Sequence, residues 1–395
     1  FVMDRLMQAL GLPGKSFVPL IVGFGCNVPS VMGARTLDAP RERLMTIMMA
    51  PFMSCGARLA IFAVFAAAFF GQQGALAVFS LYVLGIVMAI LTGLMLKHTI
   101  MRGEASPFVM ELPVYHVPHL KSLVIQTWQR LKGFVLRAGK VIVIVSVFLS
   151  ALNSFTLSGQ AADNINDSAL ASVSRVITPV FKPIGVHEDN WQATVGLFTG
   201  AMAKEVVVGT LNTLYTAENI QEQEFDPAAF HLGHELLGAV EETWQSLKDT
   251  FSLSVLANPI EASKGDGEMA TGAMGVMSEK FGSASAAYSY LIFVLLYIPC
   301  ISVMGAIARE SSRGWMGFSI LWGLNIAYSL ATLFYQTVNF SQHPRYSLVC
   351  ILAVVLFNVI VLGLLRRARS RIDIDLLAKR KTAATCCNSP AGDCH

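Results

Sequence analysis

The chain has 395 residues, of which 54% are hydrophobic and 14% are charged, and its formal net charge is +3. Soluble domains carry roughly 25% charged residues. This composition, with a mean hydropathy of +0.56, therefore excludes an ordinary soluble enzyme and predicts a protein that crosses a membrane several times. Because the chain begins at Phe1 and has no basic leader before its first apolar run, we expect it to be part of a longer protein. No nucleic-acid partner is predicted.

The first apolar run, residues 16–37, is long enough to enter a bilayer but is interrupted near its centre by two glycines and Pro29. Glycine and proline weaken or remove helical hydrogen bonds, and in lipid the freed backbone groups are tolerated only where protein or a wet cavity satisfies them. Cys26 and Asn27 lie at this interruption. Transporters place ion and substrate ligands at such breaks, so the pattern indicates a transport path rather than a catalytic site.

Further apolar segments of about 20 residues predict additional membrane-spanning helices. They are residues 44–70, 74–96, 133–155, 288–308, 315–338 and 346–365. Two shorter stretches, 169–183 and 194–211, predict half-spans or a re-entrant pair. The Lys and Arg clusters between spans mark cytoplasmic loops, and they agree with this count only if 169–211 returns to the side that it left. The predicted fold class is therefore an all-α polytopic membrane protein with broken or re-entrant helices.

The polar parts of the chain predict three further features. Residues 215–283 form a long acidic segment, predicted to be a periplasmic loop that either concentrates cations or, as is more common, is simply solvated. Residues 119–140 mix basic and apolar side chains, as does an interfacial helix that leads into a span. The basic, cysteine-containing tail, 367–395, is predicted to be cytoplasmic and unstructured.

Two internal repeats are present. The pentapeptide Ser-Val-Met-Gly-Ala occurs at residues 30–34 and again at 302–306, each time shortly after a cysteine and a proline. A weaker match without gaps aligns residues 11–37 with 185–211. Duplicated, broken elements are common in transporter folds, so the repeats favour the same class of function as the first segment.

Three cysteines stand beside helix-breaking residues: Cys26, Cys55 and Cys300. A cation crossing a bilayer must exchange its water for protein ligands, and thiolates favour the softer transition metals. All eight histidines lie outside the predicted spans, so an intramembrane metal site must depend on sulfur. Oxygen would come from freed carbonyls or from the side chains of Asn27, Ser30 and Ser302. The alternative is that these thiols only pack, as we expect of Cys350, which has no neighbouring helix breaker.

Glu205 is a carboxylate within the apolar stretch 194–211. A charge at mid-bilayer costs about 2.5 kcal/mol or more, so such a residue is a functional candidate by default. Lys204 is adjacent, and the two side chains diverge on a helix rather than facing each other. The structural alternative is that Glu205 pairs with Arg58 or another cation. Arg35 and Arg58 are otherwise expected to be anchors near the ends of spans.

Four motifs carry a resemblance to a known family: GFGCNVPSVMGART, APFMSCGARL, TGAMAKEVVVGTL and YIPCISVMGAIARE. They closely resemble the membrane half of the bacterial ferrous iron transporter family FeoB, of the enterobacterial type, and the resemblance covers essentially the whole chain. It implies uptake of Fe²⁺ across the bacterial inner membrane. It also implies that Cys26, Cys55 and Cys300 match the family's pathway cysteines. Our leading hypothesis is that Cys26, Cys300 and Glu205 meet the metal in turn, with Cys55 as a further candidate.

The resemblance also implies a division of the chain into duplicated Gate modules and connecting parts. These are a first Gate module at 1–62, a transmembrane and cytoplasmic linker at 63–138, a second Gate module at 139–214, the acidic loop at 215–283, C-terminal transmembrane helices at 284–366 and the tail at 367–395. Of the candidate residues, Glu205 then belongs to the second module.

Complete members of the family are implied to carry an N-terminal GTPase domain that this chain lacks. GTP and Mg²⁺ are therefore expected only through that missing domain, and the chain alone is expected to be inactive or uncoupled and not an enzyme. Residues 9–16 imitate a phosphate-binding loop, but no strand precedes them and Pro13 removes an amide that such a loop uses.

The implied partners are membrane lipid and the small cytosolic proteins FeoA and FeoC. Whether the chain forms a homo-oligomer is left open by the sequence. Two other functions also stay open at this point. Gate modules resemble parts of nucleoside transporters, so the broken segments would then bind an organic solute. Alternatively, the thiols would act as the redox gate of a regulatory membrane module.

Overall fold

The computed structural model describes residues 3–101, 119–156, 168–202, 204, 206–219 and 271–368. Within these ranges every regular element is a helix. Glu205 lies outside the described residues, as do most of the acidic segment 215–283 and nearly all of the tail 367–395. For the part of the chain that is described, the predicted all-α class is confirmed.

The α-helices of the described part follow one another along the chain. They are α1 (Asp4–Leu10), α2 (Phe17–Val22), α3 (Asn27–Gly33), α4 (Pro40–Met49), α5 (Gly56–Phe69), α6 (Gly74–Thr99), α7 (Leu120–Ser154), α8 (Ala169–Ile177), α9 (Trp191–Met202), α10 (Val206–Asn219), α11 (Thr271–Phe281), α12 (Ala284–Leu296), α13 (Ile301–Glu310), α14 (Arg313–Val338) and α15 (Pro344–Ala368). Short 3₁₀ helices occupy Gly14–Ser16, Ala34–Thr36, Ala50–Phe52, Gly71–Gln73 and Thr178–Ile184.

Five segments of the described part are long and apolar enough to cross a membrane, and each overlaps a predicted span. They are Pro40–Phe69, Gly71–Thr99, Ala284–Glu310, Arg313–Val338 and Pro344–Arg367. The predicted interfacial helix 119–140 and the predicted span 133–155, into which it was expected to lead, form one continuous helix, α7. No proline separates the two segments, so the helix has no reason to stop between them.

The predicted broken helices are confirmed. The first apolar run forms α2 and α3, separated by non-helical residues 23–26. The span Pro40–Phe69 is interrupted at residues 53–55, and the span Ala284–Glu310 at residues 297–300. The stretch predicted as a half-span at 194–211 is also divided, because α9 ends at Met202 and α10 begins at Val206.

Helix α12 lies at the centre of the molecule. Every residue from Ser289 to Leu296 is buried, as expected of a helix that is apolar all round and surrounded by other helices. It packs against α5, α6 and α14. Helix α15 is the least buried of the five candidate spans in the described part, since only 6% of its most apolar stretch is buried. Its exposed valines and leucines suit contact with lipid.

A cluster of three aromatic rings ties α12 to two other helices. The rings of Phe65, Phe281 and Tyr290, from α5, α11 and α12, have centroids 5.3 to 5.5 Å apart. Such edge-to-face and offset pairs add to the stabilisation that comes from burial. The Tyr290 hydroxyl also donates a hydrogen bond to the Ala193 carbonyl, at 3.0 Å, which attaches α9 to this cluster.

The weaker repeat has a structural counterpart. Gly11 and Gly185, the first residues of the two aligned stretches, both have left-handed backbone, with φ of +77° and +98°. Each ends a helical segment and is followed by an interrupted pair of helices, α2–α3 in one case and α9–α10 in the other. Only glycine adopts this conformation at little cost, so the repeat preserves a turn as well as a sequence pattern.

We expect Gly185→Ala to destabilise the protein strongly. A left-handed non-glycine residue costs about 1–2 kcal/mol, and a Cβ at this position would lie 2.4 Å from the Tyr335 ring. Thermal unfolding of the purified protein in detergent measures the effect. The matched control is Gly317→Ala in α14, where a Cβ has no neighbour within 4 Å and the change should be neutral or stabilising by up to about 1 kcal/mol. Equal unfolding temperatures for the two variants would contradict this account of Gly185.

Candidate functional site

Each of the three cysteines that stand beside helix breakers immediately precedes a helix. Cys26 precedes α3, Cys55 precedes α5 and Cys300 precedes α13, and all three have extended backbone. The first N–H groups of a helix have no intrahelical partner, so these positions combine a sulfur with the positive end of a helix. Cys26 is exposed, and Cys55 and Cys300 are partly exposed. The breaks thus present their thiols rather than enclosing them.

The first two breaks are joined by their backbones. The Gly56 amide donates a hydrogen bond to the Gly25 carbonyl at 3.2 Å. Cys26 follows one member of this bonded pair and Cys55 precedes the other, so the bond brings the two cysteines together. A backbone that leaves the helical ladder in an apolar setting must find another partner, and here each break supplies one to the other.

Asn27 fastens the same two breaks through its side chain. Its amide nitrogen lies 3.3 Å from the Met53 carbonyl oxygen, and rotation of the amide by 180° instead places a nitrogen 2.9 Å from the Gly23 oxygen and 3.1 Å from the Ala50 oxygen. In the second orientation Asn27 donates to both sides of the junction. The residue is 4% exposed, so its amide serves the backbone more than an open path.

Arg58 lies beneath the second break, and the structure corrects its predicted place near a span end. Its side chain is fully buried, and its Nη1 donates to the carbonyls of Pro51 and Met53 at 3.1 Å each. These carbonyls are freed where the helix stops before Cys55. Among the described residues, Nε and Nη2 of Arg58 have no hydrogen-bond partner. A buried guanidinium therefore holds the shape of the break that presents Cys55.

The break between α9 and α10 lies close to the break before α13, and the contact is made at Tyr297. The Lys204 ammonium lies 4.8 Å from the centroid of the Tyr297 ring, a cation–π contact, and Lys204 is 3% exposed. A Cβ on Gly200 would lie 2.4 Å from the Tyr297 hydroxyl, so only glycine permits this approach of α9. Tyr297 is in turn within electrostatic range of Arg58 and Cys300. Two basic side chains are therefore buried close to the thiols.

The two copies of the pentapeptide form helices that pack against each other, α3 with α13. Arg35, just after the first copy, makes a two-point salt bridge to Glu310, at the end of α13, with Nε 2.6 Å from Oε2. Because the C-terminal ends of the packed helices meet, their N-terminal ends, which carry Cys26 and Cys300, lie at the opposite end of the pair.

The remaining predicted site residues divide into three cases. Ser30 is fully buried and its hydroxyl has no hydrogen-bond partner among the described residues, whereas Ser302 is half-buried. Glu205 lies outside the described residues, so its role stays a prediction. Within the described ranges no group of three or more His, Cys, Asp or Glu side chains is arranged to hold a metal ion. The structure thus brings Cys26, Cys55 and Cys300 to neighbouring breaks without a closed ligand cluster.

A polar groove of about 1120 Å³ lies away from the breaks. It is lined by Arg175, His187, Glu188, Asp189, Trp191, Val276, Glu279 and Lys280. Lys182 donates to Glu188 at 2.9 Å, and this hydrogen bond and the lysine's charge lower the pKa of the glutamate. Three consecutive polar residues, His-Glu-Asp at 187–189, could have indicated this groove in the sequence, but they were not among the predicted site residues.

We expect Arg58→Gln to expose Cys55. A hydrogen bond from a charged donor contributes about 1.5–3 kcal/mol, so loss of the contacts to Pro51 and Met53 should favour local opening and raise the labelling rate of Cys55 about tenfold. Site-resolved mass spectrometry after maleimide treatment measures that rate, and Cys350 in α15 is the internal control. An unaltered labelling rate at Cys55 would show that Arg58 does not hold this break.

Comparison with known proteins agrees with this architecture. The Gate family model, described as nucleoside recognition, matches residues 1–69 and 135–313, which together make up more than half of the chain. A second family model, described as ferrous iron transport protein B C terminus, matches residues 78–130. No solved structure matches the chain.

Curated relatives match over the full chain. The Fe(2+) transporter FeoB of Salmonella typhimurium is 89% identical over 395 residues, and that of Shigella flexneri is 87% identical over 396 residues. All of this chain is covered in each case, but it spans only about half, 51%, of the length of these relatives. The chain therefore belongs to the Gate family, and over its whole length it is similar to the ferrous iron transport protein B of these enterobacteria.

Proposed function

We propose that the chain provides a path for Fe²⁺ uptake across the bacterial inner membrane. The observation that carries the proposal is the position of Cys26, Cys55 and Cys300, each at the start of a helix where a membrane segment is interrupted. The similarity to Fe(2+) transporters supports the same substrate. The path would be lined by these thiols, by freed carbonyls and by the predicted carboxylate of Glu205.

The chemistry of the breaks suits a cation that must be dehydrated and then released. Carbonyl oxygens and sulfurs can replace part of the ion's water, and binding must be weak enough to permit exit. Sulfur favours transition metals over Mg²⁺ and Ca²⁺, whereas oxygen ligands alone would not discriminate against those abundant ions. A mixed thiol and carbonyl lining is therefore suited to a ferrous ion in a reducing environment.

An organic solute fits the breaks less well. A nucleoside site would need amide and aromatic groups that are open to the ligand, but the Asn27 amide is buried and bonded to backbone carbonyls. The Tyr297 ring is covered by Lys204. The redox-gate alternative predicts a disulfide between neighbouring cysteines, and it would be supported if oxidation stopped uptake reversibly.

The whole assembly is part of the same proposal. A GTPase domain that binds GTP and Mg²⁺, and the small proteins FeoA and FeoC, would act with this chain as the family resemblance implies. The cytoplasmic side is assigned from the clusters of Lys and Arg that include Arg35, Arg309 and Arg313. On that assignment the ends of α3 and α13 that carry Arg35 and Glu310 face the cytoplasm.

Cys26→Ser and Cys300→Ser are each expected to lower anaerobic Fe²⁺ uptake about tenfold or more, because a hydroxyl is a poorer ligand for this ion than a thiolate. Uptake is measured in cells that lack their own iron transporters and produce the full-length protein. The amount of each variant in the membrane is matched. Cys350→Ser is the control, since Cys350 lies within the uninterrupted helix α15. Normal uptake in both Cys26→Ser and Cys300→Ser would remove the thiols from the mechanism.

Glu205→Gln is expected to weaken Fe²⁺ binding to the purified protein about tenfold, since it removes the negative charge of a ligand. Anaerobic equilibrium dialysis against ⁵⁵Fe²⁺ measures the dissociation constant. Glu188→Gln is the matched control, because Glu188 is exposed and paired with Lys182 away from the breaks. The same affinity for Glu205→Gln and the unsubstituted protein would exclude the carboxylate as a ligand.

A further inference from the structure

The salt bridge between Arg35 and Glu310 closes one end of the α3–α13 pair. Nε and Nη2 of the arginine lie 2.6 and 2.5 Å from the two carboxylate oxygens, so both oxygens are engaged. The partners are separated by 275 residues in sequence, and the bridge joins the residues that follow the two copies of the repeated pentapeptide. The opposite ends of the same helices begin at Cys26 and Cys300.

The two partners differ sharply in their surroundings. The Glu310 side chain is 5% exposed, whereas that of Arg35 is 58% exposed. Glu310 is also the last residue of α13, where the negative end of the helix dipole disfavours another negative charge. Burial disfavours the charge as well. Glu310 therefore does not stabilise its own helix, and it depends on a cation that reaches in from the solvent side.

We propose that Glu310 is an oxygen ligand for the transported divalent cation at the cytoplasmic end of the path. When no ion is bound there, Arg35 forms its salt bridge with this carboxylate. The inference rests on the proposed function, because it assumes that a divalent cation travels along the α3–α13 seam. It adds a carboxylate site at the end of the α3–α13 pair opposite the thiols. It also adds Arg35 as a side chain that competes with the ion for this carboxylate.

Replacement of the Arg35 guanidinium by a divalent ion at Glu310 requires only that charged groups move, and the structure already positions both side chains. A divalent ion at the carboxylate is attracted about twice as strongly as a guanidinium at the same distance. The displaced Arg35 side chain is more than half exposed, so it can turn into water without being buried elsewhere. After the ion leaves, the guanidinium returns and again neutralises Glu310. The carboxylate is thus never left buried and unpaired, which would be strongly destabilising.

The test compares four variants in vesicles that contain the whole protein: Glu310→Gln, Glu310→Asp, Arg35→Gln, and the exchange that combines Arg35→Glu with Glu310→Arg. Fe²⁺ uptake and the unfolding temperature are measured for each. The control exchange combines Lys182→Glu with Glu188→Lys, a pair in which both side chains are more than half exposed. Exchange of that pair should change neither quantity.

If Glu310 is a ligand, Glu310→Gln lowers uptake about tenfold or more, while Glu310→Asp retains uptake because it keeps the carboxylate. Arg35→Gln lowers the KM for Fe²⁺, because the competing cation is gone. The decisive variant is the exchange of Arg35 and Glu310. It restores the salt bridge and the unfolding temperature but leaves uptake as low as in Glu310→Gln, because the buried position now carries a cation.

A purely structural bridge gives a different pattern, in which the exchange restores uptake together with the unfolding temperature. That result would overturn the inference, as would normal uptake by Glu310→Gln. Both results leave the proposed function intact, because the unsubstituted protein still carries Fe²⁺. Absence of Fe²⁺ uptake by vesicles with the unsubstituted protein, relative to empty vesicles, would instead overturn the proposed function and the inference with it.

Discussion

The hydrogen bond from the Gly56 amide to the Gly25 carbonyl is the contact on which the site depends. A chain that stops being helical in an apolar interior exposes N–H and C=O groups whose loss of water must be compensated. Here the compensation comes from another interruption, with Arg58 and Asn27 supplying further donors. A single break would leave polar groups unsatisfied, whereas two breaks side by side satisfy each other. The thiols are positioned as a consequence of this mutual arrangement.

Much of this arrangement could be predicted from local sequence. Pro29, together with the glycines around it, cannot continue a regular helical ladder, so the break after Val22 was predictable, and the same reasoning applies before Cys55 and Cys300. Long apolar runs likewise predicted the spans, because the thickness of a bilayer sets a minimum length for a helix. Where no proline was present, as within α7, the interfacial segment continues into the span as one helix.

The contacts that side chains make at the breaks could not be predicted in this way. Arg58 resembled an anchor for a span end, although it binds the carbonyls of Pro51 and Met53, seven and five residues earlier, because these carbonyls are free only where the helix stops. The ring of Tyr297 against Lys204 depends on the absence of a side chain at Gly200, about 100 residues away. Repetition of the pentapeptide indicated duplication, but not that the copies touch.

The direction of those copies has a consequence for how an ion would meet the sulfurs. Transporter repeats are often inverted, which would put equivalent residues at different depths, as successive stations. Helices α3 and α13 instead pack with their C-terminal ends together, since Arg35, two residues after α3, is bonded to Glu310, the last residue of α13. Cys26 and Cys300, which immediately precede these helices, consequently both lie toward the end of the pair away from this salt bridge. On the proposed path, an ion would therefore meet both sulfurs at the same end of the pair rather than at its two ends.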